Sequence, residues 1–498
     1  MADQYLLGID IGTGSTKGVL VRARDGEVLA QHAIEHSFSS PHPGWAEMDA
    51  DKIWWGEFAQ TSQELIRQAG VKPKDIKGVG VSGIGPCVLP IDADGKPLRA
   101  GILYGIDTRS TEEIEIYNRE IGEERVFRLS ACELSSSAEG TKVLWIARNE
   151  PEVYEKARWL LGSQAYVVYK LTGKASADVY SASAYAPLFD VEKRVWLDET
   201  IAGINPRQKL PPVYWTADVV GTVHAEAAAQ CGLAEGIPVI AGTIDAAAEA
   251  TSIGLLHPGE MMLMFGSSNS IILKADHFVR SRAFWGMNWL EQGAYSIVGG
   301  MSTAGSLTRW FSENLFKAQK PELNVYEEMA QMVVQTKPGA NGLICLPYFE
   351  GERTPINDPN AKGMLFGLTL SHGQAEIYRA VLEGVGYGIR HNIEALKEEG
   401  AEAKRILAVG GGTRNLPWMQ IVCDISGISM EIPTVQSGAA YGDAYMAGVG
   451  AGLFPAISGI RDWLKPGQVI TPNASHKALY DEGYARYRQL YERTKDLM

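Results

Sequence analysis

The chain has 498 residues, 45% of them hydrophobic and 21% charged, a globular composition that excludes a disordered or fibrous chain. A chain of this length rarely folds around a single hydrophobic core, so we expect two large domains. The formal net charge of −13 argues against a polyanion-binding surface, and we expect no nucleic-acid partner.

The N-terminal segment has neither the basic nor the long apolar region of a signal peptide. No run of the sequence approaches the ~18 apolar residues of a membrane span, so no membrane partner is expected. The five cysteines are scattered and odd in number, which argues against a disulfide framework or a cysteine metal site. We therefore expect a cytoplasmic protein.

The first predicted elements, in chain order, are strands at residues 5–9, 17–21 and 27–35, a helix at about 50–69 and a strand at 76–82. The turn at residues 12–16 is rich in glycine and hydroxyl residues. A second strand pair, at 261–265 and 271–275, encloses a similar turn. This recurrence predicts a duplicated unit, with a first domain at 1–252 and a second at 253–498.

The two glycine–hydroxyl turns are candidate phosphate sites. Their backbone N–H groups can converge on an anion, and Thr13 and Ser267 add hydroxyl donors. Lys17 brings a positive charge to the first turn. Asp10, at the end of the first strand, would repel phosphate unless it holds Mg²⁺. For either turn taken alone, a plain hairpin without a ligand remains the alternative. The presence of such a glycine–hydroxyl turn in each half of the chain favours a nucleotide site.

A literal G-x-G-x-x-G occurs at residues 78–83, but its context excludes a dinucleotide fingerprint. That fingerprint must open a helix, whereas here Gly85-Pro86 follows and another extended run begins. The G-x-x-x-x-G-K-[ST] pattern of a P-loop is absent from the sequence. We interpret 78–83 as a buried strand whose following turn lines a pocket.

Asp245 follows an apolar strand and a glycine turn and precedes small helix-forming residues. One interpretation is an N-cap aspartate. The other is a carboxylate held at a cleft by a rigid strand–helix junction, where it can take a proton from a substrate hydroxyl.

Three glycines at 410–412 follow a predicted strand at 405–409 and precede a helix beginning near Pro417. They allow the backbone to approach a flat ligand such as adenine. A tight strand–helix turn is the alternative.

Longer motifs carry a family resemblance. They are Gly363–Leu368 followed by Glu376–Glu383, the loop Leu346–Pro355, and Lys142–Trp145 with an imperfect lead-in at Glu139. On these residues the chain resembles the FGGY family of carbohydrate kinases, in its xylulokinase-like branch, over nearly its whole length.

The resemblance implies an α/β fold of two actin-like (ribonuclease-H-like) domains flanking an interdomain cleft. It also implies ATP, Mg²⁺ and transfer of the γ-phosphoryl group to a sugar or polyol hydroxyl. Asp245 resembles the family's catalytic base and a substrate contact, and Asp10 its metal-side carboxylate. The remaining implied nucleotide contacts are Thr13, Lys17, Gly266, Ser267, Gly305, Gly411 and Asn415. The remaining implied substrate contacts are Trp45, Gly85, Tyr104 and Asp107. We also expect a homodimer.

The chain departs from the xylulokinase pattern where Ile84-Gly85-Pro86-Cys87 replaces a stretch with Gln and His. That change predicts that D-xylulose is not the preferred acceptor. Two other function classes stay open. One is an actin-like ATPase of non-metabolic role, such as a chaperone or filament subunit, and the other is a kinase for another substrate class, such as a sugar acid or glycerol. A catalytically dead sugar-binding regulator is disfavoured by the presence of Asp10, Asp245 and both turns.

Overall fold

The structure is a computed structural model that describes residues 3–318, 320, 322–434 and 438–498. The strands of its first half are β1 (Tyr5–Ile11), β2 (Ser15–Arg22), β3 (Val28–Glu35), β4 (Glu47–Met48), β5 (Ile76–Gly83), β6 (Leu89–Ile91), β7 (Gly101–Ile102), β8 (Trp159–Leu161), β9 (Ala177–Asp178), β10 (Phe189–Asp190), β11 (Val195–Trp196), β12 (Val213–Tyr214), β13 (Val219–Thr222), β14 (Pro238–Ile240) and β15 (Thr243–Ile244). The α-helices of that half are α1 (Phe58–Ala69), which a π-helical turn at Ala50–Glu57 precedes, α2 (Thr111–Tyr117), α3 (Glu123–Ser130), α4 (Glu139–Asn149), α5 (Pro151–Lys156), α6 (Ser163–Thr172), α7 (Val179–Ser183), α8 (Ala225–Cys231) and α9 (Asp245–Ser252).

The strands of the second half are β16 (Glu260–Phe265), β17 (Asn269–Ala275), β18 (Trp285–Asn288), β19 (Tyr295–Met301), β20 (Ile344–Leu346), β21 (Met364–Phe366), β22 (Arg405–Val409), β23 (Met430–Ile432) and β24 (Gln468–Ile470). Its α-helices are α10 (Gly305–Asn314), α11 (Val325–Gln335), α12 (Gln374–Glu398), α13 (Leu416–Ser426), α14 (Ala439–Gly450) and α15 (Lys477–Thr494). Within the described residues, no helix is both long and apolar enough to cross a membrane.

The described residues form two large mixed sheets of the same design. The first has the order β13-β14-β5-β1-β2-β3, with β15 also beside β5, and the second has the order β18-β19-β17-β16-β22-β23-β24. In each, an antiparallel hairpin, β1–β2 or β16–β17, lies beside a parallel neighbour, β5 or β22. The predicted α/β class and the predicted repeat of strand, turn and strand are therefore confirmed. The two domain ranges stay a prediction.

The G-x-G-x-x-G segment lies in β5, and a turn and then β6 follow it, as predicted. Its glycines have a packing role. A Cβ atom on Gly80 would lie 2.2 Å from the carbonyl oxygen of Asp443, and one on Gly8 in β1 would lie 1.9 Å from that of Ala440. The missing side chains let α14 pack directly against the first sheet.

Helix α14 comes late in the chain but packs on β1, β5 and α9, which belong to the first half. One apolar cluster consequently spans both halves, with Leu6, Ala247, Met262 and Ala444 among its members. Each sheet has a further cluster of its own. The shared cluster therefore joins the two sheets.

Candidate active site

The first glycine–hydroxyl turn is closed by a hydrogen bond from the Gly12 N–H to the Ser15 carbonyl, at 3.0 Å. A partly buried histidine, His36, which was not predicted from the sequence, supports this turn. The His36 Nε2 atom lies 3.0 Å from the Gly12 carbonyl oxygen, and its Nδ1 atom lies 2.8 Å from Glu57. The turn is thereby anchored to the helical segment that precedes α1.

The second turn is also closed by a glycine N–H, but over a shorter span, because the Gly266 N–H donates to the Ser268 carbonyl at 3.0 Å. The start of α10 packs onto this turn. The Gly305 N–H donates to the Gly266 carbonyl, and the Ser306 N–H donates to the Ser267 carbonyl, both at 2.9 Å. A Cβ atom on Gly305 would lie 2.5 Å from the Gly266 oxygen, so a larger residue would push the helix off the turn.

A cavity of about 930 Å³ opens beside the second turn. The structure brings five predicted nucleotide contacts to its wall, namely Gly266, Ser267, Gly305, Gly411 and Asn415. Tyr326, Tyr378 and Trp418 also line it and were missed, because nothing in their local sequence distinguishes them from core aromatics. A cavity lined by both glycines and aromatic rings suits a flat purine base.

Asp10 and Lys17 lie directly opposite each other in the β1–β2 pair, so their side chains share one face of the sheet. Burial raises the pKa of Asp10 to about 6, against the opposing effects of a hydrogen bond from Ser82 and the charge of Lys17. Asp10 is therefore a buried carboxylate opposite the cation of Lys17.

Asp245 begins α9 directly after β15, at the junction that the sequence predicts. The Ala246 N–H donates to its Oδ1 atom at 2.7 Å. Burial, followed by the negative charge of Asp10, raises the pKa of Asp245 to about 8. One turn later, burial and the same charge raise the pKa of Glu249 to about 7. The charge of Asp10 thus acts on both Asp245 and Glu249, and a cation placed there would relieve this repulsion.

The carboxylates fit a metal that arrives with a nucleotide. Among the described residues, no group of three or more His, Cys, Asp or Glu side chains is arranged to hold a metal ion alone. Mg²⁺ typically takes one or two protein carboxylates and completes its shell with phosphate oxygens and water. Asp10, buried and crowded by other carboxyl groups, is a donor of that kind.

A second cavity, of about 170 Å³, lies between the two halves of the chain. Two predicted substrate contacts, Gly85 and Tyr104, line it, and so do Ile244 and Ala246 on either side of Asp245. Tyr104 lies near the first turn and Asp245, because a hydrogen bond with Thr13 and the charge of Asp245 both affect the pKa of its hydroxyl. Trp285, on β18 of the second half, closes the opposite wall and was missed by the sequence analysis.

Trp45 and Asp107 are not among the described residues that line this cavity. Asp107 is fully buried, accepts the Ala46 N–H at 2.7 Å and pairs with Arg109 at 2.7 Å. The Arg109 guanidinium stacks on Trp45 at 3.9 Å from the ring centroid. The contacts of these two residues are structural, and a direct substrate contact stays a prediction for both.

Two further buried residues, Ser82 and Asp443, connect to Asp10 through hydrogen bonds, and neither was predicted from the sequence. The Ser82 Oγ atom lies 3.0 Å from Asp10 Oδ1 and 2.6 Å from Asp443 Oδ2. One signal was available for Asp443: it is the single acid in the helix sequence AAYGDAYMAGVG, which is otherwise small, apolar or aromatic.

Comparisons with known proteins agree with this geometry. The family model described as "FGGY family of carbohydrate kinases, N-terminal domain" matches residues 5–252, and the model for the family's C-terminal domain matches residues 261–451. A xylulose kinase of Escherichia coli (strain K12) is 30% identical over 497 residues, covering 99% of each chain. A gluconokinase of Bacillus licheniformis is 28% identical, covering 98% of this chain and 94% of its own length. The crystal structure of xylulose kinase from Rhodospirillum rubrum superimposes with a TM-score of 0.92 at 31% identity, covering 99% of each chain.

Proposed function

This chain belongs to the FGGY family of carbohydrate kinases, and we propose that it phosphorylates a hydroxyl of an uncharged ketose or polyol through the base Asp245. The family and its relatives make it an ATP-dependent sugar kinase of the xylulokinase-like kind. The roles of individual residues, the use of Mg²⁺ and the charge of the acceptor are our proposals. The observation that carries them is that Asp245 stands between Ile244 and Ala246, which line the cavity of about 170 Å³, and that burial and the charge of Asp10 raise its pKa. We call this cavity the acceptor cavity.

ATP is proposed to bind with its base in the large cavity and its phosphates between the two turns. Ser267, with the backbone of Gly266 and Gly305, would contact the phosphates from the second half, and Thr13 and Lys17 from the first. Asp10 would hold Mg²⁺ directly or through water, and the metal would neutralise charge on the transferred phosphoryl group.

Asp245 is proposed to accept the proton of the attacking hydroxyl. A base with a pKa of about 8 is well matched to an alcohol at neutral pH, because it holds a transferred proton better than an ordinary aspartate does. Phosphoryl transfer otherwise needs in-line positioning and charge neutralisation. Lys17 and Asp10 would serve these needs on the nucleotide side, and the walls of the acceptor cavity would hold the sugar.

The lining of the acceptor cavity supports an uncharged acceptor. Among the described residues it includes no Lys, Arg or His, and its only carboxylic acid is Glu133, which pairs with Arg282 at 2.8 Å. The carboxylate of a sugar acid needs a cationic or multiple hydrogen-bond partner when it leaves water. Hydroxyl groups from serines and from Tyr104 instead match the hydroxyl groups of a ketose or polyol.

A substrate screen tests this proposal. ADP release would be measured with ATP and matched pairs of acceptors, each a ketose or polyol and the sugar acid of the same chain length. We expect acceptor-dependent ADP release that favours the neutral member of each pair by at least tenfold in kcat/KM. We also expect another neutral acceptor to exceed D-xylulose in kcat/KM. The stretch Ile84-Gly85-Pro86-Cys87, of which Gly85 and Pro86 line the cavity, replaces a xylulokinase stretch with Gln and His. Preference for a sugar acid would refute the acceptor class, and ADP release independent of any acceptor would favour the actin-like ATPase.

We also propose that the protein acts in the cytoplasm as a homodimer, with neither nucleic acid nor a membrane as a partner. Its net charge of −13 supports the absence of a nucleic-acid partner. Three exposed apolar residues in one short segment, Phe366, Leu368 and Leu370, support self-association. Light scattering of the wild type and of Leu368→Ser tests it: we expect a dimer that the substitution weakens, and a monomeric wild type would contradict it.

A further inference from the structure

Behind Asp10, three polar side chains form a hydrogen-bonded row from the second half of the chain to the cleft. Asp443 on α14 lies 2.6 Å from the Ser82 hydroxyl on β5, and Ser82 lies 3.0 Å from Asp10 on β1. Ser82 and Asp443 are both fully buried. The sequence separation of Ser82 and Asp443 is 361 residues, so the row exists only because α14 packs on the first sheet.

The row cannot be completed by two ionised aspartates. A serine hydroxyl has one proton and can donate to one carboxylate only. If Asp10 and Asp443 were both ionised, one of them would face the Ser82 oxygen without a hydrogen between them. The row closes when one carboxyl carries a proton and donates it to Ser82, which then donates its own proton to the other.

The environment decides which aspartate carries that proton. Asp10 faces Lys17, which favours its ionised form. Asp443 lies in a helix of small and aromatic residues, and its Oδ1 atom has no hydrogen-bond partner among the described residues. An ionised carboxylate in such a place would be largely unsolvated. Burial in fact raises the pKa of Asp443 well above its ordinary value, with a further contribution from Asp10.

We propose that Asp443 is a positioning residue that acts as a neutral acid, and that through Ser82 it orients the Asp10 carboxylate toward the metal-bound nucleotide. The inference rests on the proposed function, because that function assigns Asp10 to the metal. Outer hydrogen-bond partners of this kind fix the orientation of a ligating carboxylate, and their loss typically weakens metal affinity about 10–100-fold. The role also explains why a residue from the second half of the chain approaches β5 closely enough to require Gly80.

Two substitutions at one position separate this role from its alternatives. Asp443→Asn keeps the shape and neutrality of the protonated acid, and its amide can still donate to Ser82. Asp443→Ala removes the donor. We expect Asp443→Asn to bind Mg²⁺ within about threefold of the wild type in the presence of ADP. Asp443→Ala and Ser82→Ala should each bind Mg²⁺ about 10–100-fold more weakly.

The measurement is calorimetric titration of Mg²⁺ into the ADP-bound full chain, with the Mg²⁺ dependence of kcat and KM as a second readout. Ser62→Ala serves as the matched control. Ser62 is a fully buried serine on α1 whose hydroxyl has no hydrogen-bond partner among the described residues, so the change deletes a buried hydroxyl away from the row. We expect the control to bind Mg²⁺ like the wild type. Far-ultraviolet circular dichroism identifies any variant that does not fold, and Ser82→Ala then gives an independent test.

The results of these experiments distinguish a failure of this inference from a failure of the proposed function. If Asp443→Asn loses as much Mg²⁺ affinity as Asp443→Ala, the residue acts as an anion and the inference is wrong. If neither Asp443→Ala nor Ser82→Ala changes Mg²⁺ affinity, the row has no positioning role. A wild type that binds ADP with no dependence on Mg²⁺ overturns both the metal role of Asp10 and this inference. Failure of every sugar to be phosphorylated, with the calorimetric pattern intact, refutes the proposed acceptor chemistry only.

Discussion

Substitution of Asp245 by Asn removes the proposed base while keeping the size of the side chain. A general base typically contributes about 10²–10⁴-fold to the rate, which corresponds to about 3–5 kcal/mol of transition-state stabilisation. We therefore expect Asp245→Asn to lower kcat by that factor. Nucleotide affinity should change little, because the nucleotide cavity is built from the second half of the chain.

The pH dependence of the wild type adds a second signature. A base acts only when deprotonated, so a raised pKa moves the rise in activity to higher pH. With a pKa of about 8 in the free enzyme, about one molecule in ten has Asp245 ionised at pH 7 and about nine in ten at pH 9. The wild-type kcat/KM should rise about tenfold over that interval, and the Asn variant should lack this rise.

Glu249→Gln is the matched control, because Glu249 lies one turn further along α9 and its charge helps to raise the pKa of Asp245. Removing that charge should shift the rise in kcat/KM to lower pH and leave the plateau at high pH largely intact. The assay is coupled ADP release at pH 6–9, with the neutral acceptor varied from well below to above its KM so that kcat/KM and kcat are both obtained. Turnover of Asp245→Asn close to that of the wild type, or an unchanged pH rise in that variant, would refute the assignment of the base.

Three other perturbations test the account. Asp10→Ala should raise the Mg²⁺ concentration needed for half-maximal activity more than it raises the KM for the acceptor; a collapse of acceptor affinity with no Mg²⁺ effect would show that the role is wrong. Gly305→Ala should raise the KM for ATP about tenfold with little change in the acceptor KM, because its Cβ atom would lie 2.5 Å from the Gly266 oxygen; an unchanged ATP KM would contradict the contact between α10 and the second turn. The third concerns stability. The folded pKa of Asp443 lies above its unfolded value, so the folded chain binds more protons there and the free energy of unfolding falls as pH rises above about 4. Asp443→Asn cannot ionise and so does not lose stability in this way. The Tm of the variant minus that of the wild type should therefore increase from pH 5 to pH 8. A difference in Tm that stays constant over this range would show that Asp443 is already ionised at pH 5.

Local features of the site were predictable because they depend on neighbouring residues. A glycine–hydroxyl turn between two apolar runs specifies a hairpin whichever sheet it joins, and both turns form as predicted. Asp245 follows a strand and precedes small helix formers, and the structure begins α9 at that residue.

Features that depend on long-range packing were not predictable in the same way. Trp285 meets the acceptor cavity only because β18 lies against the first half of the chain, and Asp443 reaches Ser82 only through the packing of α14. The G-x-G pattern in β5 marks this packing, but it specifies close approach and not which helix approaches. Asp107 shows the converse, because its motif matches a family substrate contact while its hydrogen bonds in this fold go to Ala46 and Arg109.

The central claim is that the γ-phosphoryl group of ATP passes to a hydroxyl of a neutral sugar or polyol. The most direct measurement follows ATP labelled with ³²P in the γ-phosphate and resolves the labelled products by chromatography, with and without the best acceptor of the screen. We expect label in the sugar phosphate in one-to-one ratio with ADP, dependence on the acceptor, and loss of both products in Asp245→Asn. Label appearing as inorganic phosphate, at a rate that the acceptor does not change, would contradict the account.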